Sequence, residues 1–487
     1  MDERDLIREA LRNMPAAAAH VAADSPAADA VYAPLHHGAA LRVDRSLVVG
    51  NRGVGKSFWA SVLASDQARE RAADLYKLDE LRHVQVSLGF HESAGITVGP
   101  APSPEQLGQL RAQAYTGQQI WKAVLLRALG PLSGRVLPAS LADTMRWSTA
   151  NIEEMEAALR HADATLLSAN QRFLLVFDAL DRLAPEWAAV RELSNGVLRF
   201  ALDVRGFRAI RAKVFLRADQ WHDEVLFRFA DASKLRSERV ELTWTQCDLY
   251  GLVYQYLWDH PTAARAFQLL VNRVEAAVGG SPSFVTRDLR ESDSFQEGVF
   301  CELAGEFMGS NPRRGRTYNW LHDHLADALG QTSPRSFQIA LRAAALAASN
   351  DLPRVLDHLS IKAGVQAASD KRVEQLTEDY AWIRIALEDL AELEVPASPD
   401  TFERRWRERE TVKRICELAQ TREVDAPVTF ALPAIPSEQG ILQSLKSLGV
   451  IEERAESRIN VPDIFRVAAK LKRRGGVRVP PPTARRG

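Results

Sequence analysis

Short apolar runs, each followed by a longer stretch with helical spacing, recur through the first half of the chain. Five runs are rich in β-branched and aromatic residues and predict strands at 47–49, 83–88, 173–177, 213–216 and 240–242. The run at 173–177 is apolar without interruption, which is typical of a strand buried on both faces of a parallel sheet. The pattern predicts an α/β fold built on a parallel sheet of about five strands.

Apolar residues at helical spacing surround these strands. Residues 58–63 predict an amphipathic helix, and residues 103–130 and 150–170 predict helices in a long insertion before the third strand. Everything from 246 to 355 has helical spacing, and a helix start is expected at Ser333 because Pro follows it at the first helical position. This region predicts a helical lid that follows the sheet in the sequence.

The last third of the chain contains a different order of elements. Residues 356–425 predict charged helices around a core stripe that includes Trp382 and Leu390. Beyond them, a short helix ends at Gly449, and two short strands follow around the turn 455–457. Helix, glycine, strand, turn and strand is the order of a winged helix.

These patterns predict six segments. They are an N-terminal arm with a short helix and a loosely ordered Ala/Pro-rich stretch (1–41), the α/β core (42–245), the helical lid (246–355), a helical linker domain (356–425), the winged helix (426–475) and a basic tail (476–487).

Composition narrows the function classes. The formal net charge of -1 over 487 residues argues against a protein that binds nucleic acid over its whole surface, but it permits local basic patches. Three widely spaced cysteines predict neither a disulfide framework nor a zinc site, and a reducing cytoplasm is expected. The acidic first residues do not predict a signal peptide, and no run of 18 apolar residues predicts a membrane span.

The strongest chemical signal is the segment between the first strand and its helix. It matches G-x-x-x-x-G-K-[ST], the phosphate-binding loop, at every fixed position. The backbone N–H groups of such a turn and the positive end of the helix suit a polyphosphate, and glycines allow close approach to it. Lys56 is expected to contact phosphate and the Ser57 hydroxyl to bind Mg²⁺. The predicted nucleotide-binding residues are Gly50, Asn51, Arg52, Gly53, Val54, Gly55, Lys56 and Ser57.

An acid follows the third strand. Asp178 stands at the carboxyl end of the run 173–177, where ligands bind in open α/β sheets, and is predicted to hold Mg²⁺. The next residue is Ala179, so no carboxylate stands directly after it. Asp181 is the nearest replacement, either as the base that activates water or as a residue that shapes the turn.

Two arginines are candidates for contacting the terminal phosphate. Arg217 ends the fourth strand and either senses the phosphate or merely pairs with Asp219. Arg335 lies in the first turn of the helix that begins after Ser333, as a lid arginine or as an ordinary first-turn residue. A metal role for His36 and His37 is disfavoured, because no third ligand is near.

The C-terminal residues are basic. No acid follows Asp463, whereas eight cations do, including Lys470, Lys472, Arg473 and Arg474. Such a run favours phosphate contacts with duplex DNA and a strong dependence on salt. The alternative is a winged helix that docks on protein and carries a solubilising tail.

Together, Gly50–Ser57, the segment 178–183 and the segment 215–219 resemble the AAA+/STAND-type P-loop ATPases of bacteria, including the KAP-like group. STAND proteins similarly have a second Asp three residues past the Mg²⁺ acid and an Arg after the fourth strand. Ala179 departs from AAA+ motors and implies slow turnover. The resemblance implies ATP and Mg²⁺ as cofactors. It also implies a nucleotide switch that assembles or changes partners, often in phage defence.

Three functions therefore remain open. The first is an ATPase switch that acts on DNA or on a protein partner carrying any effector activity, with nucleotide-dependent assembly. The second is a DNA-binding regulator or transposition-type adaptor whose nucleotide is structural. The third is a signalling scaffold that uses the winged helix only for protein contacts.

Overall fold

The computed structural model describes residues 2–15, 26, 31–94, 99–278, 289–420 and 437–474. Their contacts form two compact units, Met1–Asp323 with Gln331–Gly364, and His324–Gly330 with Val365–Gly487. Part of the predicted Ala/Pro-rich arm, the start of the predicted winged helix and the tail 476–487 lie outside the described residues. None of the described helices is long and apolar enough to cross a membrane. The predicted boundaries of the six segments stay a prediction.

Five parallel strands form the central sheet. They are β1 (Leu47–Gly50), β2 (Val84–Phe90), β3 (Arg172–Phe177), β4 (Ile210–Arg217) and β5 (Val240–Glu241). Their order across the sheet is β2-β3-β4-β1-β5. The predicted strands are confirmed, and the parallel sheet with its helices forms an α/β core. Because all strands are parallel, their carboxyl ends meet at one edge, where residues from several strands converge.

Both faces of this sheet are buried, as the apolar strands predict. Leu47 and Val49 lie in a core cluster on one face, whereas Val48 between them lies in a cluster on the other. Leu174 and Leu175 of β3 divide between the two clusters in the same way. Alternating side chains point to opposite faces of a strand, so an unbroken apolar run is required when helices cover both.

Helices surround the sheet and build the rest of the first unit. They are α1 (Glu3–Arg12), α2 (Gly38–Leu41), α3 (Lys56–Ala64), α4 (Asp66–Tyr76), α5 (Pro104–Ala112), α6 (Gly117–Leu129), α7 (Leu141–Ala150), α8 (Ile152–Ser168), α9 (Trp187–Asp203), α10 (Ala218–His222), α11 (Ala232–Arg236), α12 (Gln246–Trp258), α13 (Ala264–Val278), α14 (Asp293–Ala304), α15 (Thr317–Leu325), α16 (Pro334–Ala347) and α17 (His358–Asp379). Residues 324–325 of α15 and residues 365–379, the larger part of α17, belong to the second unit.

The helical stretch predicted over 103–130 is broken into α5 and α6. Ala114 between them has a φ of 62°, in the left-handed region, and the Thr116 side chain accepts a hydrogen bond from the backbone of Gln119 to start α6. Gly117 at that start lies against Gly196 of α9, where a Cβ on Gly196 would come within 2.7 Å of the Gly117 backbone. The two helices can cross this closely because both residues lack side chains.

Residues 31–41 correct the expectation of a loosely ordered arm. Tyr32, His37 and Leu41 are buried, and the Tyr32 ring stacks on Trp244 with centroids 6.0 Å apart. The composition of this stretch indicates loop structure, but its aromatic residues bury enough surface against the core to order it.

The second unit contains α18 (Ala381–Glu388), α19 (Pro399–Glu408), α20 (Thr411–Gln420), α21 (Glu438–Ser447) and α22 (Asp463–Arg466). Its strands are β6 (Glu394–Val395), β7 (Glu452–Arg454), β8 (Arg458–Asn460) and β9 (Lys472–Arg473). The order helix, glycine, strand, turn and strand is present in α21, Gly449, β7 and β8. In addition, β6 pairs with β9, and Ala397 bridges Ile459. Whether this module is a winged helix stays a prediction.

Candidate functional site

The loop after β1 turns sharply into α3 at the carboxyl edge of the sheet. Gly53 has a φ of 85° and Gly55, directly before the helix, has a φ of 102°. Side chains at such φ values are strained, so glycine suits both positions. Gly50 is required for a different reason, since a Cβ there would lie 2.6 Å from Val54 Cγ2. The backbone therefore takes the tight turn that the loop motif predicts.

Lys56 begins α3 and turns back over this loop. Its Nζ donates hydrogen bonds to the carbonyl oxygens of Gly50 and Asn51, each at 2.9 Å. Burial of the ammonium group lowers the pKa of Lys56 to about 8, and the positive charge of Arg217 acts in the same direction. Nearby carboxylates oppose this shift. The Lys56 ammonium group therefore lies directly beside the loop and is hydrogen-bonded to its carbonyl oxygens.

Asp178 lies at the carboxyl end of β3 and is 1 % exposed. The Ser57 hydroxyl hydrogen-bonds its carboxylate, yet Oδ2 is buried without a hydrogen-bond partner. Burial raises the pKa of Asp178, although the Ser57 hydrogen bond and the charge of Lys56 act against the increase. A buried carboxylate oxygen without a partner is costly, so this atom is suited to a ligand of positive charge.

The oxygen donors at this point fit Mg²⁺. The hydroxyl of Ser57 and the carboxylate of Asp178 are brought together by different elements, the helix α3 and the strand β3. Mg²⁺ prefers hard oxygen ligands and is commonly held by one or two carboxylates together with substrate phosphates. The structure therefore brings the predicted pair Ser57 and Asp178 together, and their role as Mg²⁺ ligands stays a prediction.

The residue after Asp178 adopts an unusual backbone conformation. Ala179 has a φ of 55° and is followed by a single 3₁₀ turn, Leu180–Arg182. The left-handed conformation is uncommon for alanine and costs about 1–2 kcal/mol. The buried Leu180 anchors the turn, and Asp181 is half-buried beside it. The turn therefore brings the Asp181 carboxylate to the same edge as Asp178.

Arg217 connects β4 with this edge. It lies directly opposite Gly50 in the register of β4 and β1, which places it beside the start of the loop. Its Nε and Nη2 donate to the two carboxylate oxygens of Asp219, at 3.1 and 2.9 Å, and its Nη1 lies 3.4 Å from Asp181 Oδ2. The pairing with Asp219 is thus present, and the guanidinium nevertheless lies at the candidate site. A sensing role for Arg217 stays a prediction.

Arg335 is brought to the loop from a distant part of the chain. Ser333 caps α16 by accepting a hydrogen bond from the Ser336 backbone, as the sequence predicts. A Cβ built on Gly53 would lie 3.3 Å from Arg335 Cβ and 3.4 Å from Ser333 Oγ. The first turn of α16 therefore rests against Gly53 of the loop. The lid role of Arg335 is still a prediction.

Sequence reasoning missed one residue that supports the loop. Trp244, after β5, donates its indole N–H to the carbonyl oxygen of Val54 at 2.9 Å. His37 lies edge-on to Trp244 and accepts the indole N–H of Trp59 at Nδ1, while its Nε2 donates to the Thr243 carbonyl oxygen. Both nitrogens of His37 are thus engaged, and burial lowers its pKa to about 4. An aromatic residue in a short connection has no periodic signature that could have identified Trp244.

The basic residues that the sequence predicts as phosphate contacts belong to the second unit. Lys470, Lys472, Arg473 and Arg474 are all exposed. Lys472 pairs with Glu392 at 2.6 Å, and Arg473 lies 3.7 Å from Asp463. Of the eight cations after Asp463, Arg478, Arg485 and Arg486 lie outside the described residues.

Comparisons with known proteins do not identify a family for this chain. Neither a protein-family model nor a curated protein matches the chain. Among solved structures, the Walker-type ATPase PABY2304 of Pyrococcus abyssi is 11% identical, covering 91% of this chain and 98% of that chain with a TM-score of 0.33. The ORC2 protein of Aeropyrum pernix, in ADPNP–ADP complexes, is 13% identical, with 88% of each chain covered and a TM-score of 0.29. At these identities and TM-scores, neither structure establishes a family or a function for this chain.

Proposed function

We propose that this protein is a Mg²⁺-dependent ATPase that works as a slow nucleotide switch. One observation supports this above the others. The buried Asp178 carboxylate accepts a hydrogen bond from the Ser57 hydroxyl, and its Oδ2 has no hydrogen-bond partner. It lies beside the loop 50–57, whose backbone and Lys56 suit a polyphosphate. An unpaired buried carboxylate is destabilising by itself, and a bound cation removes that cost.

Each residue of the site has a defined task in this proposal. Gly53 and Gly55 keep the loop open to the phosphates, and Lys56 leaves the loop carbonyls to contact them. Ser57 and Asp178 would hold Mg²⁺, which neutralises phosphate charge when bound. Asp181 either orients the attacking water or shapes the turn. Because Ala179 supplies no carboxylate, we expect turnover well below that of AAA+ motors.

The switch would operate through the contact between the loop and the helix α16. Arg335 and Ser333 already lie against Gly53, so a nucleotide in the loop would change how this helix end is held. Differential contact with two states is what allows a ligand to shift a conformational equilibrium. Arg217, tied to Asp181 and Asp219, is placed to respond to loss of the terminal phosphate. Nucleotide-dependent assembly belongs to the same proposal.

The partner of the switch is proposed to bind the second unit. Lys470 and Arg474 are exposed cations suited to phosphate contacts with duplex DNA. Lys472 and Arg473 already face carboxylates, which lowers the number of phosphates that the described residues would neutralise. If this charge is too small for DNA, the same surface serves a protein partner.

Hydrolysis measured with and without duplex DNA tests the proposal. We expect slow Mg²⁺-dependent ATP hydrolysis, abolished by Lys56→Ala with the fold retained. Stimulation by DNA supports a DNA-directed switch, and indifference to DNA supports a protein-directed one. Binding without turnover would instead indicate a structural nucleotide. A Lys56→Ala protein that hydrolyses ATP at the parental rate would refute the phosphate-loop assignment.

Titrating labelled duplex DNA at two salt concentrations separates the partner classes. Each phosphate that the protein no longer neutralises should reduce the slope of log K against log salt by roughly 0.9. Neutralising Lys472, Arg473 and Arg474 together should therefore weaken binding about equally for all sequences. A parent protein that does not bind near 50 mM salt, where the electrostatic contribution is large, excludes DNA.

A further inference from the structure

The N-terminal helix α1 carries three arginines at intervals of four residues, on one face of the helix. Arg4 Nη1 donates to the Leu352 carbonyl oxygen at 2.9 Å. Arg8, which is 1 % exposed, donates to the carbonyl oxygens of Val355 and Arg354 at 2.9 and 2.7 Å. All three arginines contact the backbone at or beyond the end of α16, so the contacts form a continuous row.

Arg12 contacts the end of α16 itself. Its Nε donates to the Ala345 carbonyl oxygen at 3.0 Å and its Nη2 to the Ala348 carbonyl oxygen at 3.4 Å. The last carbonyls of a helix lack intrahelical partners and carry the negative end of the helix dipole. A guanidinium at this position therefore satisfies them and holds the helix end in place.

The opposite end of α16 is the one that contacts the phosphate loop through Ser333 and Arg335. The helix has 14 residues and is about 21 Å long. Near its middle, a Cβ on Gly364 of α17 would lie 2.2 Å from the Ala340 carbonyl oxygen, so the two backbones touch there. A short helix such as α16 is stiff and moves as one rod. Because α17 contacts it at its middle, a displacement of one end of α16 should also move the other end.

We propose that α1 is a positioning element for the candidate site: by clamping the carboxyl end of α16, Arg12 and its neighbours set where Arg335 lies over the phosphate loop. This inference rests on the proposed nucleotide binding. It assigns a function to the N-terminal helix, which contacts none of the predicted site residues in the hydrogen bonds and ion pairs described for it. Release of α1 would loosen the lid helix and weaken nucleotide binding at a distance.

A matched pair of substitutions isolates the clamp. Arg12→Met removes the donors to α16 and keeps most of the aliphatic stem. Arg273→Met removes an exposed arginine of α13 whose ion pair, 3.0 Å to Glu3 Oε2, also fastens α1 but does not involve α16. The full-length proteins are titrated with a fluorescent ATP analogue and Mg²⁺, alone and in an Arg335→Ala background. Arg4→Met is a milder second variant if Arg12→Met does not fold.

Mutations that act through a coupled element change affinity by about twofold to thirtyfold. We expect a loss of this size for Arg12→Met, none for Arg273→Met, and no further loss for Arg12→Met when Arg335 is already alanine. Hydrogen exchange should accelerate in residues 333–340 as well as in 345–352. A purely local role at the helix end would accelerate only the latter.

Three results would overturn the clamp. They are parental affinity in Arg12→Met, an equal loss in Arg273→Met, and faster exchange confined to residues 345–352. If the parent protein itself binds no nucleotide, the proposed function fails, and hydrogen exchange at residues 333–340 then decides the clamp alone. Unchanged exchange there would refute it.

Discussion

Replacing Asp178 by asparagine should stabilise the protein in the absence of nucleotide and Mg²⁺. The substitution keeps an oxygen that can accept the Ser57 hydrogen bond and removes the negative charge. Burial raises the pKa of Asp178 despite the opposing charge of Lys56, so the surroundings disfavour the carboxylate on balance. A residue retained against this cost is consistent with a role in binding rather than in stability.

The expected gain follows from removing the buried charge, because the Nδ2 that takes the place of Oδ2 is still a buried polar group. An unpaired buried polar group costs about 1–3 kcal/mol and more when it is charged, so we expect a difference of about 1–3 kcal/mol between carboxylate and amide. For a unit of roughly 350 residues, each kcal/mol shifts the melting temperature by about 1.3 °C. We therefore expect the Asp178→Asn protein to melt about 1–4 °C above the parent at neutral pH.

The pH dependence has a definite sign. The folded pKa of Asp178 is raised above its ordinary value of 3.8. The protonated carboxyl is therefore the form that the fold tolerates, and the parent loses stability as pH rises through the folded pKa. Well below its ordinary pKa of 3.8, the carboxyl is protonated in both folded and unfolded chains. The melting temperatures of parent and variant should converge there.

Thermal unfolding with and without Mg²⁺ and a non-hydrolysable ATP analogue completes the test. At 100 times its Kd, a ligand stabilises the parent by about 2.7 kcal/mol, and the asparagine variant should gain far less. Asp219→Asn is the matched control. Asp219 accepts two hydrogen bonds from Arg217 and one from the Gln220 backbone, so its loss should lower the melting temperature. An Asp178→Asn protein that melts at or below the parent, or gains equally from ligand, would refute this reasoning.

Three further substitutions test other contacts. Gly53→Ala and Gly55→Ala share the strain of a positive φ, but only the first crowds Arg335, so in nucleotide titrations it should lose more affinity than Gly55→Ala. Lys213→Met leaves three carbonyl oxygens without their donor, one buried and two partly buried, and should destabilise by about 1–3 kcal/mol, measured by thermal unfolding; a gain would mean that the buried charge dominates. Asp181→Asn should spare ATP binding and slow turnover, and parental turnover would leave Asp181 a structural role.

Much of the first unit was predictable because its signals are local. A strand buried on both faces must be apolar throughout, so β3 is visible in its own residues. The loop motif specifies glycines where the backbone is left-handed or crowded, and Gly53, Gly55 and Gly50 meet those conditions. Ser333 as a helix cap is likewise a property of four adjacent residues. Each of these features depends on neighbours in sequence, which a pattern can report.

The predictions that went wrong, or were not made, depend on distant residues. Residues 31–41 have the composition of a loose arm, but Tyr32 and His37 are ordered by packing against aromatic residues elsewhere in the chain. Lys213 stands in an apolar strand, and only the fold shows that three carbonyl oxygens of the segment before β1 receive its ammonium group. Burial lowers its pKa to about 7.

What the sequence determined by itself was therefore the class of core and the residues of its loop. The tertiary structure decided how those residues are held. Arg8 and Val355 are 347 positions apart, and Trp244 reaches Val54 across 190. Nothing in local periodicity encodes such pairs, because they exist only once burial has brought separate elements together. The same holds for Asp178, whose unpartnered oxygen is defined by the absence of a donor in folded surroundings.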